Sequence, residues 1–280
     1  AHAVDREFRI MKALAQTDVP VPNVRVLCDD DSVIGTIFYV MDFIEGRVFK
    51  DPGLPSLAAA QRGHVFESAA TPPAGLHRVD WRAAGLETYG KSSDYIARQI
   101  KRWSGQYEAS KTEDIADMDN LTAWLRDNMP EDVNEPHNVT IAHGDFRIDN
   151  MIYGNDSLQP IAVLDWELST IGHPLSDFAY CAMMYFTPSD ARPSPGLLGL
   201  NLNDEGIPSL PEFVAMYADA AGRASVDEIN YYMAFSNFRM AAILQGVYKR
   251  SLDGNASSRL AGQMGEFVKT VSKTGLRFTD

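Results

Sequence analysis

Apolar positions recur with a helical period from the start of the chain: Val4, Phe8, Met11 and Ala15 fall at i, i+4, i+7 and i+11, giving a helix over 4–15 one apolar face. Val19-Pro20-Val21-Pro22-Asn23 ends it, because proline drives the residue before it out of the α region. The stretches 24–28 and 36–43 then read as strands, separated by the acidic turn Asp29-Asp30-Asp31-Ser32. Ile44-Glu45-Gly46 leaves the second strand for a loop rich in proline and glycine, Asp51-Pro52-Gly53-Leu54-Pro55. The chain is expected to divide here, into residues 1–46 and a mainly helical remainder, 47–280.

Beyond the loop the helical period dominates, at Ile96, Ile100, Trp103 and Tyr107 and again at Ile115, Met118, Leu121 and Leu125. Short apolar strands over 139–142, 151–153 and 161–164 interrupt it, and the first two enclose the polar loop 143–150. Three further helices are expected over 210–221, 226–251 and 257–273, the middle one opening on Ser225-Val226-Asp227-Glu228 with capping-box spacing. Helices and short strands in this order make the fold class α+β. The aromatic residues Trp103, Tyr107, Tyr231, Tyr232, Phe235 and Phe238 read as core.

At 280 residues, 45% hydrophobic and 22% charged, the chain can bury a full core as one large domain or two modest lobes. Its formal charge of −13 repels phosphate backbones, so nucleic acid is not an expected partner. No apolar run approaches the ~20 residues that span a bilayer, and no membrane association is expected. Cys28 and Cys181 are too few for a disulfide framework and lack ligand spacing, which suits a reducing, cytoplasmic setting. His64, His77, His137 and His173 are scattered and read as packing or surface residues.

The informative stretch is His143-Gly144-Asp145-Phe146-Arg147-Ile148-Asp149-Asn150, followed by Leu164-Asp165-Trp166-Glu167. Asn150 stands five residues after Asp145, and Asp165 twenty. Phosphoryl transfer needs an acceptor hydroxyl positioned and the phosphate charge neutralised, mostly by metal. A carboxylate can take the hydroxyl proton, while an amide oxygen and a second carboxylate suit Mg²⁺, a hard cation. Asp145, Asn150 and Asp165 supply that set. Arg147 and Asp149 lie off the metal spacing, and Asp149 reads as a turn or salt-bridge residue.

The spacing matches the protein-kinase loop H-R-D-x-x-x-x-N with Gly144 in place of arginine, and Asp165 stands where the D-F-G aspartate would. With the later Pro174-Leu175-Ser176-Asp177, the chain resembles the aminoglycoside phosphotransferase and choline kinase superfamily. Tyr95-Ile96-Ala97-Arg98-Gln99-Ile100-Lys101-Arg102-Trp103 and Asp42-Phe43-Ile44-Glu45-Gly46 are similar to one branch, the phosphotransferase-like domains fused to, or encoded beside, acyl-CoA dehydrogenases. The resemblance implies a two-lobed, protein-kinase-like fold with ATP in the cleft and a small-molecule hydroxyl as acceptor. By position, Asp145 is the expected catalytic base, and Asn150 and Asp165 the magnesium ligands. The Asp42 carbonyl and Ile44 amide would hydrogen-bond adenine, and Glu7 would orient the phosphate-binding lysine. His143 would brace the loop, and Asp177 would cap or anchor a helix behind it. The family's strands bearing the phosphate-covering loop and that lysine are expected ahead of Ala1, since the sequence opens without Met. An inactive nucleotide-binding regulatory module is the alternative reading. The branch points to hydroxyacyl or hydroxy-acid acceptors, whose carboxylate or coenzyme phosphates Arg98, Lys101, Arg102, Arg239, Lys249 and Arg250 could meet.

Overall fold

A computed structural model of the chain describes residues 4–192, 194–224, 226–255 and 261–279. Ser225 of the expected capping box, residues 257–260 of the expected last helix and the opening Ala1-His2-Ala3 lie outside them. By contacts the chain forms two compact units, one from Ala1–Ser92 and Val139–Val226, the other from Ser93–Asn138 and Asp227–Asp280.

The first unit opens with helix α1 (Val4–Leu14), whose apolar face buries Ile10, Met11 and Leu14, with acids in its first turn and Lys12 in its last, as the helix dipole favours. Strands β1 (Val24–Cys28) and β2 (Phe38–Met41) pair antiparallel, Val24 opposite Met41 and Cys28 opposite Phe38. The second strand is shorter than expected: the chain leaves the ladder at Asp42, whose N–H donates to the Asn23 carbonyl at 2.9 Å. Helices α2 (Ala59–Ala69) and α3 (Thr71–Arg78) were not expected. Alanines blur the period of the first, and Pro72-Pro73 masks the second, although a helix accepts proline in its first turn, where the missing N–H has no intrahelical partner.

The middle of the chain sets the geometry of interest. Strand β3 (Thr140–Ala142) runs into the polar loop and out through β4 (Met151–Tyr153). Strand β5 (Pro160–Val163) runs into 164–169 and out through β6 (Thr170–Gly172), which the sequence did not reveal. Because β3 pairs with β6 and β4 with β5, all antiparallel, the two loops lie side by side. Helix α6 (Pro174–Ala182) follows, and every one of its residues is buried.

Later come α7 (Leu202–Glu205) and α8 (Leu210–Ala221). The latter starts at a capping box, Ser209 N–H donating to Glu212 Oε2 at 2.7 Å, and stops at Gly222, where φ is +66°. Phe66, Phe178, Phe213 and Tyr217 fill the core around α3, α6 and α8, with the rings of Phe178 and Tyr217 stacked 4.1 Å apart.

The second unit comprises α4 (Tyr95–Ser110), α5 (Ala116–Asp127), α9 (Ile229–Leu252) and α10 (Met264–Leu276). Trp103, Tyr107, Tyr231, Tyr232, Phe235 and Phe238 are all buried, the expected core. Gly275 eases the close approach of α10 to α5: a Cβ there would stand 2.6 Å from Leu121 Cδ2, and that side chain would have to shift. Among the described residues no helix is long and apolar enough to cross a membrane.

Candidate active site

The loops after β3 and β5 bring Asp145, Asn150 and Asp165 to one place. Asn150 donates through Nδ2 to the Asp145 carbonyl at 2.8 Å and to its Oδ2 at 3.3 Å, which leaves the amide oxygen out of these bonds. The Asn150 carbonyl accepts Leu164 N–H at 2.8 Å, so the residue before Asp165 is tied to the residue five after Asp145. Asp165 itself takes a left-handed conformation at φ +67°, a cost that a non-glycine residue bears mainly where surrounding structure imposes it.

Charge crowds this edge. Partial burial and the neighbouring carboxylates of Asp145 and Glu167 hold the Asp165 pKa above the usual carboxylate value, against the opposing pull of His143 and Arg147. Two carboxylates that repel one another in this way, with the Asn150 amide hydrogen-bonded to one of them, fit a hard divalent cation, which takes one or two carboxylates and completes its shell with phosphate and water. Among the described residues no group of three or more His, Cys, Asp or Glu is placed to hold a metal. Arg147 pairs instead with Asp149, Nε to Oδ1 at 3.0 Å and NH2 to Oδ2 at 2.5 Å, the salt bridge expected for Asp149.

Beneath this edge the loop is anchored by buried groups. Asp145 N–H donates to His143 Nδ1 at 3.3 Å, so the other ring nitrogen carries the proton and donates to the Leu164 carbonyl at 2.8 Å. One imidazole thus braces the backbone at Asp145 and the backbone before Asp165. Asp177, in the first turn of α6, accepts Gly144 N–H on Oδ1 at 2.8 Å and His143 N–H on Oδ2 at 2.7 Å. It anchors the loop directly rather than a helix behind it. Burial alone would raise its pKa, but the hydrogen bond from His77 and the His143 contacts outweigh that and hold it below the ordinary value.

Sequence reasoning missed the next two members. His77 Nε2 lies 3.4 Å from Asp177 Oδ2, and its Nδ1 lies 2.7 Å from the Tyr217 hydroxyl. Burial lowers the His77 pKa and raises that of Tyr217, so the ring is neutral and the phenol protonated. The donors then run in one direction: Tyr217 O–H to His77, His77 N–H to Asp177, which accepts both loop amides. No local pattern could have flagged this, since the partners stand 100 and 140 residues apart.

Asp42, Ile44 and Glu7 lie elsewhere in the same unit. The Asp42 carboxylate accepts from Arg25 Nε and NH2, each at 2.6 Å, just past the end of β2 and two residues before Ile44. Glu7 accepts the Tyr39 hydroxyl at 3.1 Å, and burial together with the Glu7 charge pushes that phenol up to about 12. The helix of Glu7 is in turn tied to the loop after Asp165, because Arg6 NH2 donates to the Ser169 carbonyl at 3.1 Å.

The phosphotransferase enzyme family model matches residues 1–229. The chain belongs to that family. It is 44% identical over 278 residues to mouse acyl-CoA dehydrogenase family member 10, covering 99% of this chain and 26% of the relative. It is 41% identical over 281 residues to human acyl-CoA dehydrogenase family member 11, covering all of this chain and 35% of the relative. The crystal structure of a presumed aminoglycoside phosphotransferase from Ralstonia eutropha JMP134 superposes with a TM-score of 0.92 at 42% identity, covering 99% of this chain and 83% of that one. This family member therefore has the α+β, protein-kinase-like fold expected of it, and it spans a quarter to a third of the length of those acyl-CoA dehydrogenase relatives.

Proposed function

We propose that the chain is a small-molecule kinase that transfers the γ-phosphoryl group of ATP to an alcohol, with Mg²⁺ as cofactor. The observation that carries this reading is the joining of Asp145, Asn150 and Asp165 across two adjacent loops, tied by Asn150 and braced by His143. Asp145 accepts the proton of the acceptor hydroxyl as its oxygen attacks phosphorus, and the loop positions that hydroxyl for in-line attack. Asn150 Oδ1 and the Asp165 carboxylate hold the metal, which when bound neutralises the phosphate charge. The Asp42 carbonyl and the Ile44 N–H take the adenine edge. Glu7 orients the cation that meets the phosphates, and Arg6 on the same helix keeps it in step with the loop after Asp165. In this reading residues 1–46 belong to the nucleotide-binding lobe and 47–280 to the catalytic and acceptor-binding lobe, and the enzyme works in the cytoplasm.

The acceptor we favour is a hydroxyacyl or hydroxy-acid compound, supported by the acyl-CoA dehydrogenase names of the relatives. ADP release by the full protein, screened over hydroxylated acids, hydroxyacyl thioesters and aminoglycosides with and without Mg²⁺, tests enzyme class and acceptor together. Turnover indifferent to EDTA would end the metal assignment, and turnover confined to aminoglycosides would end the acyl one.

A further inference from the structure

Two cations fix helix α1 on either side of Glu7. Arg6 NH2 donates to the Ser169 carbonyl at 3.1 Å, in the turn that follows Asp165, and its guanidinium lies 4.3 Å from the centroid of the Tyr89 ring. The Tyr89 hydroxyl stands 2.6 Å from Ser169 Oγ and 3.3 Å from the Arg6 carbonyl, which closes the contact. Farther along the helix, Arg9 NH2 donates to the Gly85 carbonyl and to Thr88 Oγ1, each at 2.9 Å. The backbone at Glu7 is thereby held. What can still turn is its side chain, which has three torsions.

One side chain addresses that freedom. Tyr39 lies in β2 opposite Leu27, and its ring centroid is 6.5 Å from that of Phe8 on α1. This side of the strand therefore faces the helix, while Val40, on the other side by strand alternation, is exposed. The Tyr39 hydroxyl donates to Glu7 Oε2 at 3.1 Å. A stiff aromatic side chain on a paired strand thus meets a longer, looser one on a helix, and the strand sets the angle of the carboxylate.

Charge fixes the direction of that bond. Burial raises the Tyr39 pKa to about 12, helped by the charge of Glu7 and, more weakly, by that of Asp165. The phenol keeps its proton and Glu7 receives it, a bond to an ionised acceptor, which is the stronger kind. That the Asp165 charge reaches the same hydroxyl sets Tyr39 within electrostatic range of the metal edge as well as against the helix. Tyr39 is only partly buried, so its hydroxyl can be removed without opening the core.

We propose that Tyr39 is a positioning residue for the nucleotide phosphates: its hydroxyl holds the Glu7 carboxylate at the angle from which that acid orients the cation meeting them. This rests on the phosphotransfer reading and adds to it a residue that touches neither nucleotide nor acceptor. The test measures binding of Mg·ATP and, separately, of adenosine to the full protein by calorimetry, so no acceptor is needed. Tyr39→Phe should weaken Mg·ATP about fivefold or more, the worth of one well-placed hydrogen bond, with the urea midpoint near wild type. Adenosine, which has no phosphates, should bind wild type and variant within about twofold of each other. Because the hydroxyl acts through Glu7, the double variant Glu7→Gln, Tyr39→Phe should bind Mg·ATP within about twofold of the weaker single variant rather than at the product of the two losses. Tyr185→Phe takes the same hydroxyl from a phenol that donates to the Pro208 carbonyl at 2.8 Å, and should change nothing in nucleotide binding. If wild type binds Mg·ATP and Tyr39→Phe binds it equally well, or if the loss extends to adenosine or multiplies with that of Glu7→Gln, the proposal is overturned while the phosphotransfer reading stands. A wild-type protein that fails to bind Mg·ATP would overturn both.

Discussion

Two carboxylates that flank one short loop, 143–150, are treated in opposite ways. At the buried end, the Asp177 side chain is fully enclosed, accepts both loop amides and one imidazole, and has its pKa lowered. At the open edge, Asp165 is exposed, held at positive φ and crowded by Asp145 and Glu167, so its pKa is raised. The first arrangement spends hydrogen bonds on rigidity. The second keeps repelling carboxylates together, a repulsion that the metal proposed above would offset. Anchoring and the proposed chemistry thus fall to different carboxylates on the two sides of the loop, and variants on the two sides should fail differently.

The largest effect is expected at the open edge. Asp145→Asn should lower ADP release about 10²–10⁴-fold, the usual worth of a positioned general base, while nucleotide binding and the urea midpoint stay near wild type. Wild-type turnover by this variant would break the contrast at its functional end. At the buried end, Asp177→Ala leaves the His143 and Gly144 amides without their acceptor and should cost about 3–5 kcal/mol in urea unfolding. Next comes Gly144→Ala: φ there is +86°, and a Cβ would stand 2.6 Å from the Leu168 carbonyl oxygen. That strain should cost about 1–3 kcal/mol and displace the loop, so turnover falls as well. Tyr217→Phe removes one neutral donor to His77 and should cost about 1 kcal/mol, with the catalytic rate reporting how far the relay reaches.

The smallest effect sharpens the comparison through pH. The folded pKa of Asp177 lies below its unfolded value, so its contribution is fully present above the unfolded value and is lost as pH falls through the folded one. Asp165 has the opposite sign: its folded pKa lies above the unfolded value, and stability declines as pH rises between the two. Urea melts across the acid range should show Asp165→Asn abolishing that decline and Mg²⁺ opposing it. An unchanged pH profile in Asp165→Asn would remove the crowding argument.

Much of this protein was written locally. The period of Val4, Phe8, Met11 and Ala15 placed α1, short apolar runs placed β1 and β4, and the loop spacing named Asp145, Asn150 and Asp165, because helix faces, strand pleats and short loops are properties of neighbouring residues. Helices α2 and α3 and strand β6 escaped, since alanine, paired prolines and a three-residue strand carry little periodic signal. What only the tertiary structure decided is who meets whom over distance. The antiparallel pairing of β3 with β6 and β4 with β5 set the two loops together. Folding also brought His77 and Tyr217 behind Asp177 and placed Arg239 against Trp103. Such contacts depend on packing across a hundred or more residues, where burial fixes protonation and partners in ways no local pattern encodes.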